Sequence, residues 1–455
     1  MQASLMQLQP HLTQARISAD AAFSGVSTDS RSVAAGNLFV ALQGERFDAH
    51  DFLAEVAARG VAAVVVDHVP AGLAVPALIV PDTRAALGEI ANWWRRQFSM
   101  PIIGVTGSNG KTTVKEMIAS ILAAAFGDAH YLATRGNLNN EIGVPLTLFR
   151  LNADCRAAVI ELGMNHPGEI AVLSAITQPA VGLVNNAQRE HQEFMASVEA
   201  VAEENGAVIR SLPADGVAVF PADDTYAPLW RDYAGQRRVM SFGLSATADV
   251  RGNYVAHAFG SAVTVTTAQQ QFSVNLAAAG EHNVRNALAA AACALAIGVS
   301  IDKVKQGLEA FAPVNGRLQR KQASNGALLI DDTYNANPDS VRAAIDVLAQ
   351  AAAPRILVLG DMGEVGNDGL KFHEEVGAYA AVRGIEHLLT LGELAQHSAA
   401  AFGANGAHYT DIHAINQAAQ ALLTTDATAL VKGSRFMKME RVVAHLTGQS
   451  TQGNH

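Results

Sequence analysis

A short apolar strand, Ile102-Ile103-Gly104-Val105, runs into Thr106-Gly107-Ser108-Asn109-Gly110-Lys111-Thr112-Thr113. No other segment constrains the chain as strongly, because a strand, a glycine-rich turn and a helix start, in that order, form a phosphate cradle. Gly107 and Gly110 let the backbone N–H groups around Ser108 and Asn109 converge on phosphate oxygens. Lys111 adds a mobile positive charge, and the Thr112 hydroxyl, with Thr113 behind it, suits a magnesium ion. The expected ligand is a nucleoside triphosphate with Mg2+. The common form G-x-x-x-x-G-K-[ST] fails at one place, since Val105 stands where the first glycine belongs. That departure points away from the general pool of motor and switch NTPases. The plain alternative is a glycine-rich helix entry with an incidental lysine.

A chain of 455 residues has room for about three domains, each with its own core. Net charge is −10 and no run of lysine or arginine forms a polyanion-binding stripe, which argues against nucleic acid as a partner. Anionic small molecules must therefore be met by local cradles. Cys155 and Cys293 lack metal-ligand spacing, so a reduced, cytoplasmic protein is expected. The longest apolar run, Ala287 to Val299, is too short to span a bilayer, and no basic-then-apolar signal pattern opens the sequence. No stable membrane insertion is expected.

Strand-like runs alternate with helical patterns along the chain, the signature of α/β architecture with mostly parallel sheets. Three domains are expected. Residues 1–98 read as a small α/β domain, with strands at Asn37 to Leu42 and Ala62 to Val66 and a helix over Asp51 to Gly60. Residues 99–313 read as a central P-loop domain, with strands at Ile102 to Val105, Ala157 to Ile160, Val181 to Val184 and Val217 to Phe220. Ala262 to Thr267 and Phe272 to Leu276 read as a hairpin extending that sheet antiparallel. Residues 314–455 restart the alternation as a Rossmann-like domain, with strands at Leu328 to Ile330, Ile356 to Leu359, His387 to Thr390 and Ala429 to Val431. The tail after Gly448 reads as disordered.

In open parallel sheets ligands collect at the carboxyl ends of strands. Glu161 follows Ala157-Ala158-Val159-Ile160 and offers magnesium a hard carboxylate; the alternative is a solvated strand-end acid. His191 follows the Val181 to Val184 strand within Asn185-Asn186-Ala187-Gln188-Arg189-Glu190-His191, as a metal ligand or an ordinary surface histidine. Asn337, Pro338 and Asp339 read as a helix start. Asp331 and Asp332 exceed what capping needs and suit ribose hydroxyls or a metal. Gly360-Asp361-Met362-Gly363 and Lys432-Gly433-Ser434-Arg435 are strand-to-glycine turns that face a small polar substrate or simply turn the chain. Asn283 and Asn286, three apart on a helix, offer amides to a nucleobase edge.

Taken in order, the cradle, Glu161-Leu162-Gly163, His191, the G-x-H-N-x-x-N of Gly280 to Asn286, Gly316-Arg317 and Asp332 resemble the ATP-dependent Mur ligase superfamily, which includes folylpolyglutamate synthetase. The resemblance covers almost the whole chain. Asp331 to Ser340, Val358 to Met362 and Val431 to Glu440 resemble the members that add the terminal dipeptide to the peptidoglycan precursor. The aspartate-tyrosine-alanine-histidine stretch and D-N-P-R motif of the third-residue ligase are absent. Thr28 to Arg31, which contains Ser30, and Leu38 to Phe52 resemble the uridine-diphosphate-binding portion, making the first domain a substrate-binding one. Thr134 to Asn140, with Asn137 and Asn139, resembles the loop that holds the muramoyl substrate.

The resemblance implies an ATP-dependent amide ligase working through an acyl phosphate, a monomer with UDP-N-acetylmuramoyl-tripeptide and D-alanyl-D-alanine as substrates. It implies catalytic roles for Lys111, Glu161, His191 and Arg317, and magnesium on Thr112, Glu161 and His191. Nucleotide contacts are implied for the cradle residues, Asn283, Asn286, Arg317 and Asp332. Substrate contacts are implied for Ser30, Arg31, Thr134, Asn137, Asn139, Asn140, Asn335, Asn337, Lys432, Ser434 and Arg435. One position departs from the family pattern. A carbamylated lysine is usual in the helix after the histidine, and Asn205 stands there. Asparagine cannot be carbamylated, so Glu203, Glu204 or water must complete a second metal's shell. Two rivals stay open: a sister ligase such as folylpolyglutamate synthetase, and a phosphate-binding regulator on a degenerate ligase scaffold.

Overall fold

Uninterrupted apolar runs such as Ala63-Val64-Val65-Val66 and Ala157-Ala158-Val159-Ile160 suit strands covered on both faces, and every residue of both runs is buried. The computed structural model describes residues 1–44, 47–190, 193–257 and 259–449. His191 therefore lies outside the described residues, as do Glu45, Arg46 and the tail beyond 449. The described residues form three larger sheets, one in each of three α/β domains, and a small two-stranded sheet.

Near the N-terminus, five strands run in the order Arg16–Ile17, Ala77–Ile79, Ala63–Val66, Leu38–Val40, Val26–Ser27. The expected helix over 51–60 begins as a 3-10 turn, Ala49–Phe52, and becomes α-helical at Leu53–Ala58. Asp48 caps that turn by accepting the His50 N–H.

The central sheet has nine described strands. Ile102–Thr106 is third from one edge, between Val181–Val184 and Ala157–Glu161, both parallel to it. Alternate side chains of these strands enter different cores. Ile102, Ala158 and Ile160 face one helical layer, while Ile103, Val105, Ala157 and Val159 face the other. Lys111–Phe126 and the alanine-rich Glu281–Ala296 cover the second face. Small side chains on Glu281–Ala296 allow it to be buried nearly all round. Beyond the strands expected from sequence, Tyr131–Ala133, Arg238–Gly243 and Val250–His257 also join this sheet. The hairpin Gly260–Thr266 and Gln271–Leu276 closes its far edge antiparallel, as expected.

The C-terminal sheet runs Gln319–Gln322, Leu328–Asp332, Thr428–Lys432, Arg355–Gly360, His387–Leu391, Gly406–Tyr409, parallel except for the first strand. Asp331 and Asp332 belong to their strand, whereas the sequence placed them just past it. The pairing with Thr428–Lys432 extends through both aspartates, Asp332 opposite Lys432.

The domains meet in two different ways. The N-terminal helix Thr83–Arg95 shares one apolar core with the central helices, and Gly88 lies so close to Ile176 that a Cβ would sit 2.8 Å from its Cδ1. Arg95, buried, donates across that junction to Thr177 O at 3.1 Å. The C-terminal domain instead faces the cradle through polar side chains and ion pairs. A polar, wettable junction separates at far lower cost than a shared core.

Candidate active site

The cradle's backbone is shaped by two glycines. Gly107 has φ +131° and Gly110 has φ +82°. A Cβ on Gly110 would lie 2.6 Å from Asn286 Oδ1 and 2.7 Å from Asn185 Nδ2, so no other residue fits between those amides. Behind the turn, Asn185 Nδ2 donates to Asn109 O at 2.8 Å and to Asn286 Oδ1 at 2.9 Å, and Asn286 Nδ2 donates to Asn283 Oδ1 at 3.2 Å. Asn283 and Asn286 thus buttress the cradle while lining the cavity in front of it.

That cavity, of about 940 Å3, lies where all three domains meet. Ser108 to Thr113 line its floor, with Asn137, Asn139, Asn140 and Glu161 beside them and Arg317, Asp332, Asn335, Asn337, Lys432 and Arg435 opposite. Lys111 Nζ donates to Gly107 O at 2.5 Å and Ser108 O at 3.0 Å, and pairs with Glu190 at 2.8 Å. Arg317 reaches from the C-terminal domain to donate to Thr112 Oγ1 at 2.9 Å, its guanidinium lying over the Tyr334 ring. Asn337 caps its helix as the sequence indicated, and its Nδ2 donates to Asn109 Oδ1 at 2.9 Å. Lys432 Nζ donates to Asp332 at 2.6 Å and to Asn335 O at 2.9 Å. Burial pushes the Asp332 carboxyl above its ordinary range, against the opposing pull of Lys432. His282, also lining the cavity, has its pKa lowered to about 4 by burial and by Lys432, so it is neutral at pH 7.

Three family descriptions match in sequence order: "Mur ligase family, catalytic domain" over residues 22–95, "Mur ligase middle domain" over 105–294, and "Mur ligase, glutamate ligase domain" over 316–435. A relative named UDP-N-acetylmuramoyl-tripeptide--D-alanyl-D-alanine ligase, from Escherichia coli (strain K12), is 41% identical over 98% of this chain and 99% of its own. This chain belongs to the Mur ligase family. Among solved structures, MurF from Acinetobacter baumannii superposes with a TM-score of 0.92 at 36% identity, covering 99% of each chain. MurF ligase from Thermotoga maritima, solved in complex with ADP, gives a TM-score of 0.84 at 26% identity, covering 93% of this chain and 97% of that one.

The Mur ligase site has donors suited to a magnesium ion. Glu161 is buried; its Oε1 accepts from Thr112 Oγ1 at 3.2 Å and Asn139 Nδ2 at 2.9 Å, while its buried Oε2 has no partner among the described residues. A buried carboxyl oxygen without a hydrogen-bond donor is costly alone and fits a hard cation.

Asn205 does not face this point. It is buried behind the cradle strand, where its Oδ1 accepts from Thr106 Oγ1 at 2.6 Å. The two glutamates offered in the carbamate's place lie elsewhere as well. Glu204 accepts the N–H groups of Gly168 and Ile170, both at 2.8 Å, at the start of Glu169–Thr177, and Glu203 is exposed on the outer face of its helix. Those capping bonds commit the Glu204 carboxylate elsewhere.

Other expected residues lie off the cavity. Thr134 is buried, and its hydroxyl accepts the Glu161 N–H at 3.0 Å, fixing the strand end that carries the carboxylate. Ser434 is buried between Ala336 O and the Gly363 N–H. Ser30 and the exposed Arg31, paired with Asp29 at 2.8 Å, lie in the N-terminal domain away from the cavity wall.

Sequence reasoning passed over Gln188, Arg189 and Glu190, which all line the cavity. Gln188 Oε1 accepts from Asn109 Nδ2 at 2.6 Å, Glu190 pairs with Lys111, and Arg189 spans to Asp339 and Glu375 of the C-terminal domain. Their signal was the strand-end position that singled out Glu161 and His191.

Proposed function

We propose that this chain joins D-alanyl-D-alanine to UDP-N-acetylmuramoyl-tripeptide at the expense of ATP, as a cytoplasmic monomer with domains at 1–98, 99–313 and 314–455. The observation that carries the reading is the convergence of cradle, bare carboxylate and cationic C-terminal residues on one cavity, in a chain aligned end to end with relatives of that name. Among the described residues no helix is long and apolar enough to cross a membrane, consistent with soluble substrates.

A carboxylate is a poor electrophile, and phosphorylation gives it a leaving group. The tripeptide carboxylate attacks the γ-phosphate in line, ADP departs with the β–γ bridging oxygen, and an acyl phosphate remains. The amine of D-alanyl-D-alanine then displaces inorganic phosphate and loses a proton. Backbone N–H groups of the cradle hold the phosphates, and Lys111 exchanges Glu190 for them, following the charge that develops on the transferring group. Arg317 brings a second fixed positive charge from the C-terminal side. Thr112, Glu161 and His191 would hold Mg2+, which supplies charge neutralisation at the phosphates. Asn137, Asn139 and Asn140 line the tripeptide side, and Asn335, Asn337, Lys432 and Arg435 the acceptor side. Drawing the C-terminal domain onto the cradle excludes water that would hydrolyse the acyl phosphate.

The test is phosphate release with ATP and Mg2+, comparing tripeptide plus D-alanyl-D-alanine with a folate plus L-glutamate. Release dependent on D-alanyl-D-alanine supports the assignment, and release dependent on glutamate favours the folylpolyglutamate-type reading. The position of Asn205 motivates the regulatory alternative. ATP binding without phosphate release under any acceptor would establish that alternative instead.

A further inference from the structure

The N-terminal domain carries a second cluster of metal-binding side chains, none of which lines the central cavity. His50 lies in the 3-10 turn Ala49–Phe52, while Asp67 and His68 directly follow strand Ala63–Val66. The ligand atoms of His50, Asp67 and His68 all lie within 4.8 Å of one another. The imidazole rings stack, with centroids 4.8 Å apart and planes at 18°.

Hydrogen bonding around His50 shows what the cluster is suited to hold. Its Nδ1 lies 2.6 Å from Asp48 Oδ1, so that nitrogen carries the proton. Its Nε2 lone pair accepts the Asp67 backbone N–H over 3.4 Å, a long, weak bond that an ion on that nitrogen would replace. Yet Asp67 Oδ1 lies 3.2 Å from the same Nε2, and His68 Nδ1 is in close contact with that same oxygen. A lone pair and a carboxylate facing each other at this distance repel unless positive charge lies between them. The alternative, His50 charged at both nitrogens, places an imidazolium against a second imidazole ring that shares its counter-ion.

We propose that His50 Nε2, Asp67 and His68 bind a divalent ion of the zinc class, with Asp48 holding the His50 ring as an outer carboxylate. Two imidazoles and one carboxylate select zinc, cobalt or nickel over magnesium. A carboxylate on the far nitrogen of a ligating histidine fixes its tautomer and raises its basicity. Two negative charges from Asp48 and Asp67 balance the ion. His50 is only 8% exposed, which anchors the inner ligand, while the His68 side chain is 64% exposed and leaves an open side for water. The ion would clip the turn at 49–52 to the carboxyl end of strand Ala63–Val66.

The test is equilibrium dialysis of the full chain, free of nucleotide, against Zn2+, with bound metal counted by atomic emission. Because Glu161 can also take zinc, the count is repeated in Glu161→Gln. One equivalent should survive that change and be lost in His68→Ala and in Asp67→Asn. His68 is exposed, so its replacement leaves the fold intact, which circular dichroism verifies. Asp48→Asn should weaken zinc binding about 10–100-fold. The proposal is overturned if His68→Ala keeps the wild-type stoichiometry, or if Glu161→Gln binds no zinc below millimolar concentration. The second result would leave His50 as a charged bridge between two aspartates.

Discussion

Replacing Arg189 with alanine cuts the main ionic tie between the central and C-terminal domains. Arg189 Nη2 lies 2.6 Å from Asp339 Oδ1, Nη1 lies 2.7 Å from Glu375 Oε2, and its backbone N–H donates to Asp339 Oδ2 at 3.0 Å. The guanidinium also lies over the Phe372 ring, 5.2 Å from its centroid. Side-chain exposures of 24%, 23% and 29% for Arg189, Asp339 and Glu375 place the network between a surface pair and a buried one. Exposed pairs contribute about 0–1 kcal/mol and breaking buried ones costs about 3–5, so about 2 kcal/mol is a reasonable loss here. That corresponds to about a 30-fold shift from closed toward open domains. Nucleotide binding to the cradle should hold nearly constant, while kcat/KM falls by about that factor. Fold stability should barely change, since the C-terminal domain's cores are separate from those of the central domain. Steady-state kinetics with small-angle scattering checks both parts. An Arg189→Ala enzyme with wild-type kcat/KM and an unchanged radius of gyration would refute the latch. The same network makes closure acid-sensitive. Arg189 holds the Glu375 carboxyl below its ordinary value of 4.5. The contribution is therefore complete above pH 4.5 and lost as pH falls through the depressed value.

Glu161→Gln removes the charge of the bare buried oxygen and should weaken Mg2+ activation at least tenfold with little change in melting temperature; an unchanged magnesium dependence would exclude Glu161 as a ligand. Because no lysine stands at position 205, rates in bicarbonate-depleted and bicarbonate-supplemented buffer should agree. A strong bicarbonate requirement would contradict that. His282 is held neutral, its pKa lowered from 6.5 to about 4. Its contribution to stability is complete above pH 6.5 and declines as pH falls toward 4, so urea unfolding of His282→Asn should show a flatter acid limb than wild type. Equal limbs would show that His282 is not the responsible group.

Signals confined to one strand and its turn were legible in the sequence. The cradle needs only a strand, two glycines and a helix start, and Glu161 needs only an apolar run to carry it to a sheet edge. Asn337 was readable as a cap because capping is decided within one turn. Partnerships across domains were not legible. Arg189 meets Asp339 from 150 residues away, and Arg317 meets Thr112 from 205, distances over which neither periodicity nor spacing carries information. The strand Val250–His257 was missed because Arg251, Gly252 and Asn253 break up its first half, so it lacks an apolar run, and its second half is largely exposed. Asp331 and Asp332 were placed outside their strand because two adjacent acids usually end one, and here Lys432 and Lys321 neutralise them within the sheet.

The most direct test of the acyl-phosphate account uses tripeptide substrate labelled with 18O in its terminal carboxylate. The chain is incubated with ATP, Mg2+ and D-alanyl-D-alanine, and product and phosphate are analysed by mass spectrometry. Attack of the carboxylate on the γ-phosphate predicts one 18O in each released phosphate, with pentapeptide and ADP in equal amounts. Pentapeptide formed with unlabelled phosphate, or ATP bound with no pentapeptide at all, would contradict the account.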